Sequence, residues 1–181
     1  MMKEAYEKLL SLSTFLWAKF RRKKGGIKAH VLYGIEAQVP ALCTVTTASK
    51  HDSTGIYSIR YEPNAYYIFD RAYDSFKELY RIHLTGYFFV VRAKANLKYT
   101  MVKWKRRMPK NILTDAEVKL AGYLSEEKYS ESFRLIRYYD EEDDREFTFL
   151  TNATHISALD IASLYKKRVG RAILQMAKTT P

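Results

Sequence analysis

The spacing of hydrophobic positions along the middle of this chain predicts two strands with a helix between them. Residues 66–69 are all aromatic or β-branched, which is typical of a buried strand, and this strand must leave the core at Asp70. Residues 75–84 carry apolar side chains at helical spacing, with Asp74 as the predicted N-cap and a glycine as the stop. Residues 87–91 form the second strand. Enzymes built on sheets keep their chemistry at the carboxyl ends of strands, so Asp70 is a candidate functional residue.

The flanking segments predict further strands and two more helices. Apolar positions at helical intervals indicate a helix over 3–20, and two β-branched or aromatic runs at 27–35 and 41–47 predict an antiparallel pair. The turn between these two strands is expected to end at Pro40. Ser157 is the predicted N-cap of a last helix. Before that helix, segments with alternating hydrophobic and polar positions predict a β-rich insertion: 118–123, 133–139 and 147–151.

The composition indicates a globular chain with an anionic partner. The 181 residues are 47% hydrophobic, which is enough to bury one sizeable core. The formal net charge is +11, and nucleic acid is the commonest partner of a basic domain, although basicity that only maintains solubility is the alternative. The N-terminus is charged and there is no long apolar run. We therefore expect neither a signal peptide nor a membrane span, and a cytoplasmic location.

The single cysteine, Cys43, lies in an apolar run that predicts a strand. It has no second cysteine with which to form an internal disulfide. A buried structural thiol is the expected role for such a residue.

Two basic clusters are candidate DNA-binding segments. The first consists of Lys19, Arg21, Arg22, Lys23, Lys24 and Lys28. The second consists of Lys103, Lys105, Arg106, Arg107 and Lys110. Arg92 and Lys94 share one face at the end of the strand that follows the central helix. These two side chains either approach phosphates near Asp70 or belong to a solvated strand end, and the sequence favours neither interpretation.

The order and spacing of several motifs resemble the central part of DDE transposases, specifically those of the insertion sequence 4 family. The motifs that carry the resemblance are Trp17–Arg21, Gly25–His30, His51-Asp52, Phe69–Tyr73, Phe89–Asn96 and Leu164–Arg168. The resemblance implies an RNase H-like fold and the cleavage and transfer of DNA strands, with insertion-sequence ends and a target as the DNA partners. It further implies Mg²⁺ or Mn²⁺ as cofactor, Asp70 as the second catalytic and metal-binding aspartate, and Tyr165 and Arg168 as DNA-binding residues.

The other two metal ligands of that family have no clear counterpart in this chain. The first aspartate would fall near residue 4, where only Glu4 is available and no apolar strand precedes it. The last glutamate would stand at position 172, which is Ala172, and the lysine that follows it in the family is Thr179. Because a two-metal site needs several convergent carboxylates, we expect a catalytically defective, truncated copy.

The resemblance therefore implies an α/β fold with an RNase H-like mixed sheet and a β-rich insertion, incomplete at both ends. The expected organisation is a partial catalytic core over 1–96, the insertion over 97–152, and a core helix with a divergent tail over 153–181. Two other functions stay open. The chain is either a non-catalytic basic DNA-binding remnant or an unrelated basic α/β protein in which Asp70 is incidental.

Overall fold

The computed structural model describes nine ranges of the chain: 19–21, 24–35, 37–51, 56–57, 59–61, 65–70, 75–105, 107–122 and 126–169. The chain divides into two compact units. The first contains Met1–Ile59 and Arg171–Pro181, and the second contains Arg60–Gly170. Most of the helix predicted over 3–20 lies outside the described residues. The described helices are too short and too polar to span a membrane.

The first unit contains two short antiparallel pairs. β1 (Lys19–Arg21) pairs with β2 (Lys24–Gly25), and β3 (Ile27–Gly34) pairs with β4 (Val39–Thr47). The helix prediction is therefore wrong for residues 19 and 20, where pairing with β2 overrides the local helical spacing. The predicted antiparallel pair is confirmed by the β3–β4 hairpin.

Two details of the hairpin differ from the prediction. Pro40 lies inside β4 opposite Tyr33, next to a register shift, and such a position tolerates a residue without a backbone N–H. Cys43 is exposed rather than buried. Side chains alternate along a strand, and Cys43 falls on the outward face of β4 together with Ala41 and Val45, which are also exposed.

The second unit is built on a six-stranded mixed sheet in the order β5-β6-β10-β9-β8-β7. β5 is parallel to β6, and the remaining neighbours pair antiparallel. The predicted α/β class with a mixed sheet is thus confirmed. The strands are β5 (Tyr66–Phe69), β6 (Phe88–Arg92), β7 (Tyr99–Trp104), β8 (Ile112–Leu120), β9 (Phe133–Asp140) and β10 (Arg145–Thr151).

Four of these strands, β7 to β10, come from the segment predicted as an insertion, and they continue the same sheet as β5 and β6. Strand β7 has no counterpart in the prediction, which found only a basic cluster there. Five of its six residues are exposed, so it shows no hydrophobic alternation. The division of the chain at residues 96 and 152 stays a prediction.

Two helices cover opposite faces of the sheet: α1 (Phe76–Leu84) and α2 (Ala158–Val169). On one face, Phe76 of α1 lies 6.3 Å from Phe133 between ring centroids. On the other face, Val90, Phe149 and residues of α2 form one buried cluster. Because side chains alternate along β6, Val90 points towards α2 while Phe89 and Val91 point towards α1.

Helix α1 is ended by the predicted glycine and begins one residue later than expected. Ser75, not Asp74, is its N-cap, because the backbone of Ser75 is still extended (φ −91°, ψ 104°) and the helix starts at Phe76. Gly86 has φ +78°, and its N–H and that of Tyr87 bond to the last-turn carbonyls of His83 and Ile82. This arrangement needs the left-handed conformation that glycine adopts at no steric cost.

Helix α2 begins with the predicted cap. The hydroxyl oxygen of Ser157 accepts a bond from the Asp160 N–H at 3.1 Å. The Asp160 carboxylate in turn accepts one from the Ser157 N–H at 3.3 Å. This reciprocal pair satisfies N–H groups that a helix start otherwise leaves without partners, so Ser157 is confirmed as N-cap.

Candidate functional site

Asp70 and Arg92 lie at the carboxyl ends of two adjacent parallel strands. Phe69 of β5 is the register partner of Val91 of β6, and Asp70 and Arg92 are the next residue on each strand. Both follow the alternation that places Ile68 and Val90 towards α2, so they belong to the same face. The aspartate therefore has the placement expected from the sequence, and its catalytic role stays a prediction.

Tyr165 of α2 reaches this carboxylate. Its hydroxyl donates a hydrogen bond to Asp70 Oδ1 at 3.3 Å, and only 2% of the residue is exposed. Its ring packs on Phe149 and Phe147, at centroid distances of 4.8 and 5.8 Å. The resemblance implied that Tyr165 contacts DNA. In the structure this buried side chain is directed at Asp70.

Two guanidinium groups lie against one aromatic ring beside the aspartate. The Cζ of Arg92 is 4.8 Å from the centroid of the Phe147 ring, and that of Arg145 is 5.3 Å from it. The Nε of Arg92 is buried and has no hydrogen-bond acceptor among the described residues. A buried donor without an acceptor is costly. Arg92 as a residue is partly exposed, so its guanidinium is a candidate contact for an anion at this edge of the sheet.

Sequence reasoning missed Phe147 and Arg145 as part of this site. They reach Arg92 only because β10 pairs antiparallel with β6, with Phe149 as the register partner of Arg92. This pairing joins residues more than fifty positions apart. No local pattern in the sequence carries such a register.

Acidic residues cluster at the same end of the sheet. The turn 141–144 joins the end of β9 to the start of β10, and β10 starts beyond Arg92 in register. Lys166 of α2 bonds to Asp140 Oδ2 at 2.8 Å and to Glu142 Oε2 at 3.0 Å. Lys110 pairs with Glu141 at 3.0 Å.

These contacts shift the pKa values of Asp140 and Lys166. Burial alone would raise the pKa of Asp140, but hydrogen bonds from Lys166 and from the backbone N–H of Glu142 hold this pKa below its usual value. Hydrogen bonds to Asp140 and then to Glu142 raise the pKa of Lys166. Asp140 therefore carries its negative charge, and Lys166 its positive charge, at neutral pH.

A buried ion pair supports the connection that leads into α2. Arg134 of β9 binds Asp115 of β8 through two bonds of 2.8 Å, and both side chains are more than nine-tenths buried. The same guanidinium donates to the carbonyls of Ala153 and Ile156, at 3.2 and 2.6 Å. Lys105 adds a third contact to Asp115 at 3.0 Å. This network fixes the start of the helix that carries Tyr165.

The second basic cluster is thus partly neutralised within the chain. Lys105 and Lys110 are bound to carboxylates, whereas Lys103 and Arg107 are exposed. Arg106 lies outside the described residues.

Of the remaining predicted basic residues, Lys28 and Lys94 have described side chains. Lys28 of the hairpin donates to the carbonyl of Lys50 at 2.8 Å, and Lys94 is exposed two residues beyond β6. Only the backbone is described for Lys19, Arg21, Lys24 and Arg168. The positions outside the described residues are Glu4, Arg22, Lys23, Ala172 and Thr179.

Asp70 offers a hard oxygen ligand for a divalent cation, but a two-metal site needs several such groups together. Among the described residues, no three His, Cys, Asp or Glu side chains converge in a way that could hold a metal ion. The described part of the chain does not by itself fit a two-metal site.

Comparison with known proteins identifies the family. The family model described as Transposase DDE domain matches residues 14–170. The chain belongs to this family. Two curated relatives carry transposase names: y4zB of Sinorhizobium fredii and the protein of insertion sequence element IS5377 of Geobacillus stearothermophilus.

The first relative is 31% identical over 157 residues, which cover 84% of this chain and 44% of that protein. The second is 27% identical over 161 residues, which cover 84% of this chain and 40% of that protein. The chain thus spans less than half the length of these relatives. Family membership confirms the transposase interpretation, and the mixed sheet is consistent with the RNase H-like fold of the family. Transposases of this family act on DNA and generally depend on divalent metal ions.

Proposed function

We propose that this chain is a transposase-family protein that binds DNA at the Asp70 end of its six-stranded sheet without cutting it on its own. The observation that carries the proposal is Arg92, which stands beside Asp70 at the strand ends and whose buried Nε has no acceptor among the described residues. The guanidinium of this partly exposed residue would donate to a phosphate oxygen. Arg145, an exposed residue of β10 whose guanidinium also lies against the Phe147 ring, adds a second positive charge at this position.

The other predicted basic residues are proposed as phosphate contacts that add non-specific affinity. They are Lys19, Arg21, Arg22, Lys23, Lys24, Lys28, Lys94 and Arg168. The chain's formal charge of +11 supports this role, because neutralising phosphates releases condensed counterions. Tyr165 is proposed instead to hold the Asp70 carboxylate, since it is 2% exposed and its hydroxyl points there.

Asp70 is proposed as the second metal-binding aspartate of the family, with Mg²⁺ or Mn²⁺ as the ion. The chain is proposed to lack cleavage activity because positions 4 and 172 supply Glu4 and Ala172 in place of the other two ligands. One carboxylate leaves a divalent cation largely hydrated and cannot hold two ions together.

Binding of a fluorescent random-sequence duplex, followed by anisotropy over a range of salt concentrations, tests this proposal. We expect Arg92→Gln to weaken binding and to make the slope of log K against log salt shallower by about 0.9, the value for one lost phosphate contact. Lys119→Gln is the matched control. It removes one charge from an exposed residue near the end of β8, far along the sheet from Asp70. Equal effects of the two substitutions would contradict a phosphate site at Arg92.

A further inference from the structure

The acidic turn between β9 and β10 lies where DNA would approach. Asp140 and the turn residues 141–144 contribute five of the chain's 20 acidic residues. They project from the end of the sheet that carries Asp70 and Arg92, because β10 runs antiparallel to β6 and begins beyond Arg92. The four exposed carboxylates of the turn oppose the binding of a polyanion.

The turn also binds two lysines that come from different elements. Lys110 precedes β8 and pairs with Glu141, and Lys166 of α2 pairs with Asp140 and Glu142. Both lysines lie at the same end of the sheet, since Ile112 at the start of β8 is the register partner of Tyr138 near the end of β9. Each lysine is a cation of the kind that contacts phosphate.

The ion pairs of Lys110 and Lys166 differ in how far they are exposed to solvent. The Lys110 and Glu141 side chains are 83% and 51% exposed, and an ion pair so exposed to water exchanges readily with another anion. Lys166 is bound at 2.8 Å to Asp140, whose side chain is 1% exposed. Lys166 therefore keeps the base of the turn attached to α2, while Lys110 is the cation that can be released.

We propose that the acidic turn competes with DNA phosphates for Lys110 and so limits the affinity of the Asp70 end of the sheet for DNA. The turn acts as an internal substitute for the phosphate backbone. In the parent chain Glu141 keeps Lys110 from the DNA phosphates, and Lys166 with Asp140 holds the turn in place. This inference rests on the proposed DNA-binding function.

Two double variants with the same change of net charge test the inference. Glu141→Gln with Glu142→Gln removes two of the turn's four carboxylates, those that pair with Lys110 and Lys166, and leaves the buried Asp140 unchanged. Glu126→Gln with Glu127→Gln neutralises two exposed residues in the connection between β8 and β9, at the other end of β9. Because all four side chains are exposed, both variants should fold as the parent does. Equal far-ultraviolet circular dichroism and equal melting temperatures verify this.

We expect the turn variant to bind the random-sequence duplex about five-fold more tightly at low salt, with a slope steeper by about 0.9 because one more phosphate is contacted. The control variant should change the affinity less than about two-fold, because its charges are remote and screened. Adding Lys110→Gln to the turn variant should remove the extra slope, whereas adding it to the parent should have little effect.

Each binding result below tests a different part of the inference or of the proposed function. If the two double variants bind alike, net charge alone governs binding and the competition is refuted. If the turn variant gains affinity but Lys110→Gln leaves that gain intact, Lys110 is not the contested cation and the inference fails. If the parent chain shows no salt-dependent binding at all, the proposed function fails first and the inference fails with it.

Discussion

At the scale of single residues, Arg134 makes the contacts on which the α2 side of the sheet depends. It is buried, it satisfies both oxygens of Asp115, and it bonds to two carbonyls in the connection before α2. A buried ion pair is weak evidence of stability by itself, because desolvation offsets the attraction between the charges. Removing one partner is nevertheless costly, because the other charge stays buried.

We predict that Arg134→Met destabilises the chain by about 3–5 kcal/mol, since Asp115 would retain only Lys105 and two carbonyls would lose their donor. The measurement is urea unfolding followed by circular dichroism. Arg137→Met is the matched control on the same strand: Arg137 pairs with Glu146, and both side chains are over one-third exposed. The control should cost at most about 1 kcal/mol. Similar losses in the two variants would show that the buried network is not important for stability.

The same network predicts how stability depends on pH. Burial alone would raise the pKa of Asp115, but bonds from Arg134 and Lys105 hold it below its usual value. The unfolded chain then binds more protons than the folded one, so stability rises with pH in this range. The stabilisation from Asp115 is fully present above its unfolded pKa of about 3.9 and is lost as pH falls through the lower folded value.

We expect the urea concentration at half-unfolding of the parent chain to be lower at about pH 3, near the unfolded pKa of aspartate, than at neutral pH. The same decrease should be smaller in Arg134→Met. The smaller decrease follows because the variant lacks the guanidinium that lowers the Asp115 pKa. A midpoint that decreases equally in both proteins would assign the acid sensitivity to other carboxylates, such as Asp140.

At the scale of elements, the ends of the helices follow local rules that operate within a few residues. Ser157 and Asp160 satisfy each other's backbone N–H groups at the start of α2. That helix also carries Tyr165, so its first turn contributes to the position of the hydroxyl beside Asp70.

We predict that Ser157→Ala costs about 1 kcal/mol of stability, the usual loss when an N-cap side chain is removed. Ser163→Ala on the same helix is the control. Ser163 is exposed in the helix interior, where alanine is the better helix former, so its substitution should be neutral or slightly stabilising. Thermal unfolding of the two variants and the parent provides the comparison, and a Ser157→Ala variant as stable as the parent would contradict the cap.

The elements that sequence reasoning recovered are those with short-range signals. The order of strand, aspartate, helix, glycine and strand is confirmed at residues 66–92, because hydrophobic period and the glycine stop are local. β7 was missed because its side chains are exposed and its pairing with β8 is not visible in its own sequence. Cys43 was misplaced because strand alternation, not the apolarity of its neighbours, decides which face it occupies.

The residues of the candidate site also fall into two groups, those that local sequence patterns predict and those that depend on strand pairing. Local sequence patterns locate the ends of the two strands that carry Asp70 and Arg92, so the sequence predicts both residues as candidates. Phe147, Arg145 and the contacts of Lys166 depend on pairing between distant segments. Such registers are set by the packing of the whole sheet, and a single sequence does not specify them.

At the scale of the whole molecule, the chain matches less than half the length of its transposase relatives. We predict that the purified chain does not nick supercoiled plasmid above background with Mg²⁺ or Mn²⁺. If Glu4 and Ala172 stand where the family has its other two ligands, as proposed, a two-metal site would lack both the activated nucleophile and the stabilisation of the leaving oxygen.

The control for this experiment is Asp70→Ala, which removes the aspartate that the family pattern assigns to catalysis. Any trace of nicking should be the same in the two proteins if it comes from a contaminating nuclease. Nicking that disappears with Asp70→Ala would overturn the prediction. It would then direct attention to Glu4 as a replacement ligand.

The exposed thiol on the hairpin makes this chain suitable for site-specific labelling. Cys43 is the single cysteine in the sequence and it is exposed on β4, so a maleimide dye would attach at one position in the first unit. Fluorescence from that dye reports on the hairpin, whereas tryptophan emission combines Trp17 of the first unit with Trp104 of the second. The same exposure means that oxidation would join two chains through a disulfide, so purification requires a reducing agent.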